Sequence, residues 1–279
     1  SIESFSLSKK YLYAFIIGEE YYINSDVKTS YQINGISHLL AVSGSNITFI
    51  VTILLKFIDK FKFKYVLIFS YVLLYMFLTD FTASIVRSGI FFILITLNKI
   101  FNKNINIKDI LYLTLIFSLI YNPYLIYSVG YQFSFIISLY LIIFQNLIKT
   151  FKSYLGTSFI VSIIAFLSSL PIVLNNFYEF NLLSVIFNLI YVPFVSFILF
   201  PFSLLTFIFP IFDKIFYFLT LLLENTSLFL AKIDIFKFII GKPSLTLIFL
   251  YYISITLVLK KPKYIYLIIL LLFINKLSY

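Results

Sequence analysis

Arg87 is the sole arginine of this 279-residue chain, in Ser84-Ile85-Val86-Arg87-Ser88-Gly89 at the head of an apolar run lasting to Leu97. A guanidinium offers a permanent charge and a planar fork of donors, chemistry suited to a carboxylate or a phosphate. Within an apolar span such a charge costs about 2.5–3.5 kcal/mol or more unless it meets water, an anion or a partner. Two readings follow: Arg87 snorkels to the interface or pairs with Asp80, or it lines a polar path. The single histidine marks a second polar stretch, residues 35–50, GISHLLAVSGSNITFI. On a helix from Ile36, His38 and Ser45 share one face with Ala41 and Val42, while Ser43 and Asn46 share the neighbouring one with Leu39. Small Ser43, Gly44 and Ser45 also permit close approach of another helix, so this strip reads either as a packing seam or as a cavity lining.

Further polar residues recur at matched depth. Gln132 and Ser134 open a span in Gly130-Tyr131-Gln132-Phe133-Ser134, and Asn188 lies in a long apolar run broken by Pro193. Ser168, Ser169 and Pro171 mark the run before it. Each alone is compatible with helix–helix hydrogen bonding; together they predict an outward-facing polar cluster. Catalysis is not expected. Ser43 and Ser45 follow His38 by five and seven residues, and seven residues of helix span about 10 Å, too far for a nucleophile–base contact. One histidine and no cysteine exclude the usual zinc clusters, and no cofactor is expected.

The elements that must position these residues follow from the solvent. The chain is 62% hydrophobic and 11% charged, with mean hydropathy +1.05; a soluble domain carries about 25% charged residues. Apolar blocks recur along the whole chain, so a lone secretory signal is excluded. The fold class expected is all-α, a polytopic transmembrane helical bundle of about 9–10 spans including short or broken helices. Spans are predicted at 36–58, 64–79, 82–100, 109–121, 130–148, 155–174, 182–209, 213–231, 245–259 and 263–277. Residues 1–35 read as an extracytoplasmic lead-in with a short helix over 11–17, and the whole chain as a single domain.

The net charge of +10 is mostly topology. Lys56, Lys60, Lys62 and Lys64 share one loop, Lys99, Lys103 and Lys108 another, Lys149 and Lys152 a third, as cytoplasmic loops do. Loops at 79–81, 122–123 and 175–180 then face outside. If 182–209 is one bent span, Lys232, Lys237 and Lys242 lie outside and Lys260, Lys261 and Lys263 inside; two spans would reverse this. Proline at 171 and 193 removes an internal hydrogen bond, so a break is expected at each. The 21% aromatic content accompanies high Ile, Asn and Lys and reads as AT-rich coding more than as a stacking surface. The chain begins with Ser and its only methionine is Met76, which reads as a piece of a longer protein.

These residues also carry a family resemblance. Gly35-Ile36-Ser37-His38-Leu39-Leu40-Ala41-Val42-Ser43-Gly44 with Asn46-Ile47 resembles the signature of the ComEC competence proteins. In order along the chain, Phe81-Thr82-Ala83-Ser84-Ile85-Val86-Arg87-Ser88 is similar to the family's Ser-x-x-Arg-Ala run, and Asn122-Pro123 to its Asp/Asn-Pro turn. Gly130-Tyr131-Gln132-Phe133-Ser134-Phe135 resembles its Gly-Phe-Gln-Leu-Ser-Phe run, and Leu170-Pro171, Asn188 and Pro193 the later stretch. The resemblance spans roughly residues 14 to 200 and implies a multi-pass channel in the bacterial inner membrane for uptake of single-stranded DNA in transformation. It also implies a DNA receptor and a cytoplasmic ATPase or helicase as partners, besides membrane lipids; a second copy of the chain is a further candidate. The family's Leu-His pair after Ser-Gly is replaced here by Ser45-Asn46, and its soluble OB-like and histidine-rich nuclease domains have no counterpart. From the residues alone, a secondary transporter for a small anionic solute remains the alternative, since broken helices and an intramembrane arginine suit that as well.

Overall fold

The computed structural model describes residues 7–39, 44–58, 63–233 and 236–277. Helices make up nearly all of it: α1 (Leu7–Leu12), α2 (Ser25–Ile33), α3 (Gly44–Ile58), α4 (Lys64–Leu78), α5 (Ala83–Ile100), α6 (Ile107–Tyr121) and α7 (Val129–Ile143), then α8 (Gln145–Lys149), α9 (Tyr154–Phe177), α10 (Ser184–Phe194), α11 (Phe200–Ile208), α12 (Asp213–Leu230), α13 (Leu245–Lys260) and α14 (Ile265–Leu277). Two short strands, β1 (Glu179–Asn181) and β2 (Lys237–Ile239), pair antiparallel. The helix limits follow the apolar runs between lysine loops closely, and the chain is an all-α membrane bundle. Ala83–Ile100, Tyr154–Phe177 and Ser184–Ile208 are each long and apolar enough to cross a bilayer.

Three expectations are corrected. The 36–58 element is not one α-helix: Ser37–Leu39 forms a 3-10 turn, and the described part of α3 runs Gly44–Ile58, so His38 shares no α-helical face with Asn46. Residues 40–43, Ser43 among them, and the side chains of His38 and Ser45 lie outside the described part. The expected break at Ser168–Pro171 does not occur, because α9 runs unbroken through buried Pro171. Ser168 and Ser169 return their hydroxyls to the Ala165 and Phe166 carbonyls within that helix. At Pro193 the helix also continues, into a π-helical stretch over Val195–Leu199 and then α11 with Pro201 in its first turn. The wider turn absorbs the hydrogen bonds that the two prolines remove.

The chain gathers into two compact units. The first comprises residues 1–131 and 190–232. Within it the lead-in is helical from Leu7 to Ile17, its second half π-helical and closed by Gly18 at φ 92°. It is docked, not free. Tyr11 donates to Glu224 Oε1 on α12 (3.1 Å) and pairs with Tyr31 on α2 (2.5 Å). Asn34 donates to the Ser227 carbonyl (2.8 Å), and Ser30 meets the Ser227 hydroxyl (3.0 Å). Apart from the Tyr11–Tyr31 pair, these bonds join residues some two hundred positions apart, so a local reading of the sequence could not see them. On the other side of this unit α3 packs Phe49 edge-on to Phe200 of α11 at 5.8 Å.

The second unit, residues 132–189 and 233–279, has its core between α9, α13 and α14. Leu170, Leu174, Tyr251 and Ile255 are buried there. Tyr140 anchors α7 to α13 through the Thr256 hydroxyl (3.1 Å) and the Tyr252 carbonyl (3.2 Å). Glu179 in β1 meets Lys237 in β2 at 3.0 Å, and Phe180 stacks on Phe238 at 5.6 Å. This pairing bears on topology. It holds residues 179–181 and 237–239 at one level, so an even number of crossings separates them. The continuous run Ser184–Ile208 followed by α12 is compatible with that condition and with the one-span alternative for 182–209. It also gives Lys237 a carboxylate partner where the charge rule alone disfavours a lysine. Single cysteines replacing Glu179 and Lys242 are therefore expected to react with an impermeant maleimide from one side of the membrane, and those replacing Lys103 and Lys152 from the other. Reaction of the Glu179 and Lys242 positions from opposite sides would require two spans within 182–209.

Candidate functional site, a buried arginine at the outer helix ends

The α4–α5 connection sets the depth of Arg87. Thr79 returns its hydroxyl to the Tyr75 carbonyl (2.8 Å), and Asp80 and Phe81 both take the left-handed conformation at φ 49°. The Phe81 amide then closes on the Met76 carbonyl (2.9 Å), and α5 begins at Ala83. Arg87 therefore sits one turn inside α5. Its side chain is 9% exposed, in a helix that packs against α3, α4 and α6.

Glycines let the neighbours come close. A Cβ on Gly89 would fall 2.9 Å from Met76 Cγ of α4. One on Gly44, the first residue of α3, would fall 3.0 Å from Ser88 Cβ and 3.4 Å from Arg87 Nη2. The guanidinium is thus held at the first turn of α3, and the Ser-Gly-Ser seam read from the sequence is a true close approach at Gly44. Asn46, two residues on, is buried beside the Tyr75 hydroxyl of α4.

The polar contacts of Arg87 are few. Nη2 donates to Ser88 Oγ at 3.2 Å, and that hydroxyl itself donates to the Ser84 carbonyl at 2.8 Å. Nε is buried with no hydrogen-bond partner. Tyr131, at the start of α7, lies within electrostatic range, its hydroxyl paired with Ser118 of α6 at 2.5 Å. The Asn122-Pro123 turn delivers Tyr131 there. The Asn122 side chain accepts the Tyr124 amide (3.0 Å) and starts a 3-10 stretch over Pro123–Tyr127 that leads into α7. Among the described residues no carboxylate pairs with Arg87. Asp80 is exposed on its turn and forms no ion pair with it, so that reading of the charge is set aside.

Of the residues singled out from the sequence, Asn46 and Arg87 come together, with Gly44 between their helices. Gln132 and Ser134 follow Tyr131 along α7 and are half-buried, in the second unit. Asn188, also in that unit, has its Oδ1 buried with no partner. Sequence reasoning did not pick out Tyr75, Ser88, Ser118 or Tyr131. Tyr131 could have been found from its place in the Gly-Tyr-Gln-Phe-Ser run; Ser118 carried no signal beyond its i−4 spacing to Thr114. The described cavity, about 10 Å³ between Tyr31, Ile36, Leu39, Val195 and Leu223, has room for one water at most and lies away from Arg87.

Fold and site define a helical membrane protein with a buried cation that, among the described residues, has no carboxylate partner. The chain belongs to the competence protein family, whose profile matches residues 15–263. It is similar to ComE operon protein 3 of Bacillus subtilis (strain 168), 29% identical over 262 residues, which is 88% of this chain and 33% of that protein. The chain thus spans about a third of the relative's length. No solved structure matches it.

The glycine contacts set a direct stability test. Gly44→Val and Gly89→Val are expected to lower the unfolding midpoint in detergent, each by the roughly 1–3 kcal/mol of an overpacked core. Gly130 of α7 has nothing within 4 Å of an added Cβ, so Gly130→Ala is expected to be neutral or to stabilise by up to about 1 kcal/mol. Equal effects at all three positions would contradict these close approaches.

Proposed function

We propose that this chain is a membrane-embedded, multi-pass part of a DNA-uptake apparatus in the bacterial inner membrane, passing single-stranded DNA during transformation, and that it works by binding and guiding the strand without catalysing a reaction. The observation that carries this reading is the Arg87 guanidinium, 9% exposed, one turn inside α5, with no carboxylate partner among the described residues. Membership of the competence family supports it. An unpaired cation at that depth is costly to keep, and a polyanion entering from outside would offset the cost.

Single-stranded DNA brings one phosphate per nucleotide, and bases that stack on aromatic rings at about 1–3 kcal/mol each. Passage needs weak, repeated contacts, because one tight site would hold the strand. In this reading Arg87 is the single positive contact at the outer entry. Asn46, buried beside Tyr75 in the same unit, adds a neutral hydrogen-bonding group. One arginine neutralises one phosphate, so driving force and further neutralisation fall to partners: a DNA receptor outside and an ATPase or helicase inside.

The test uses the full chain in zwitterionic nanodiscs and liposomes. Affinity for single-stranded oligonucleotides is expected to rise with length, to fall with salt, and to exceed that for a mononucleotide. Saturable uptake of a small carboxylate or phosphate solute into liposomes, without length-dependent binding of oligonucleotides, would overturn the DNA reading in favour of a solute transporter.

A further inference from the structure

We propose that the β1–β2 ribbon is a landing surface for single-stranded DNA, with Tyr178 and Phe236 as stacking rings and Lys242 and Lys276 as phosphate contacts. This goes beyond the role of Arg87 and rests on the DNA-uptake reading for the identity of the strand. The backbone builds the surface. Tyr178 takes the left-handed conformation at φ 64°, where α9 ends and the chain turns into β1. Its carbonyl accepts the amides of both Ile240 and Gly241 at 3.0 Å, so the exit of β2 is held against it. The Gly241 carbonyl in turn accepts Asn275 Nδ2 from the last turn of α14 at 3.2 Å. Lys242 thus follows a residue bonded to Tyr178, and Lys276 follows one bonded to Gly241. At the other end of the ribbon the Leu182 amide donates to the Phe236 carbonyl at 3.1 Å.

The side chains divide by task. Phe180 is buried, edge-on to Phe166 of α9 at 6.0 Å, and holds the ribbon to the core. The rings of Tyr178 and Phe236 are exposed, as are Lys242 and Lys276. The charge here is one-sided. Glu179 is the sole acidic side chain among the described residues of the second unit, and Lys237 neutralises it at 3.0 Å. Lys242 and Lys276 are left with no carboxylate among them. Topology does not account for these lysines either. Lysines collect on one face of a membrane protein, here in the loop of Lys149 and Lys152. α9, long enough to cross a bilayer, separates that loop from the ribbon. Two free cations between exposed rings suit a polyanion whose every unit pairs a phosphate with a stacking face. Membership of the competence family favours such a strand over a lipid headgroup.

The full chain in zwitterionic nanodiscs is titrated with a fluorescent oligothymidylate and with an abasic oligomer of equal length, which keeps the phosphodiesters and lacks the bases. Joint replacement Lys242→Gln and Lys276→Gln is expected to weaken both oligomers. It is also expected to make the slope of log affinity against log salt concentration shallower by about 1.4 for the two contacts. Tyr178→Ala is expected to weaken the oligothymidylate about fivefold or more, and to leave the abasic oligomer and the salt slope unchanged. Tyr178→Trp is expected to keep the wild-type affinity. If Tyr178→Ala lowers the unfolding midpoint, Phe236→Ala is read in its place.

Folded variants that bind both oligomers as the wild type does overturn the ribbon site and leave the DNA reading standing. A wild-type chain that binds no oligothymidylate at any length overturns the DNA reading, and the landing surface with it. A third result assigns the lysines to lipid headgroups and also overturns the site: both oligomers bind unchanged, while the lysine replacements lower the unfolding midpoint in phosphatidylglycerol nanodiscs and not in phosphatidylcholine ones.

Discussion

A guanidinium buried within an apolar helical bundle is the constraint around which the α3–α5 part of the first unit is built. The chain shortens the α4–α5 connection with two residues in the left-handed conformation, which sets the arginine one turn inside α5. It strips the facing positions to glycine at 44 and 89, and sets Ser88 to hold one arm of the fork. Removing a charge from water costs several kcal/mol, and one neutral serine returns little of that.

Elsewhere the molecule handles buried polarity differently. Thr79, Thr114 and Ser118 return their hydroxyls to the preceding turn of their own helices, which satisfies them without a partner. The longer-range network Tyr11–Tyr31–Glu224 with Ser30, Asn34 and Ser227 bonds group to group and fastens the lead-in to α12. Lys237 and Glu179 neutralise one another at the β1–β2 pair. Some neutral atoms also stay unpaired in the interior, Asn188 Oδ1 and Tyr251 Oη among them, at the smaller cost of a neutral dipole. Among the buried polar atoms without a hydrogen bond, Arg87 Nε is the one that belongs to a charged group. That separates a structural use of polarity, which closes on itself, from one that is left open toward a ligand.

Much of the scaffold was legible because its signal is local. The run predicted at 64–79 is α4, Lys64–Leu78, and that at 82–100 is α5, Ala83–Ile100; long apolar blocks between lysine loops admit little else. The 3-10 turn over Ser37–Leu39 was not legible, since the apolar run it opens reads as helix from Ile36 onward. Pro171 misled for a related reason: within a packed bundle a helix can absorb a missing hydrogen bond that would break it in isolation. Arg87 and the small-residue seam at Gly44 stood out from residue type alone. Their meeting, with Ser88 beside them, is a product of how α3 and α5 pack. The docking of residues 7–33 onto α12 was invisible for the same reason. Ser43 and the side chains of His38 and Ser45 lie outside the described residues.

The central claim is that Arg87 neutralises one phosphate of a bound single strand. Each such contact contributes about −0.7 to the slope of log affinity against log salt concentration for single strands. The direct measurement is therefore that slope for one oligothymidylate, on the wild-type chain and on Arg87→Gln, in zwitterionic nanodiscs. The account expects the variant's slope to be shallower by about 0.7, with weaker binding at low salt and convergence as salt rises. Parallel lines, with the affinity lowered equally at every salt concentration or not at all, would contradict it.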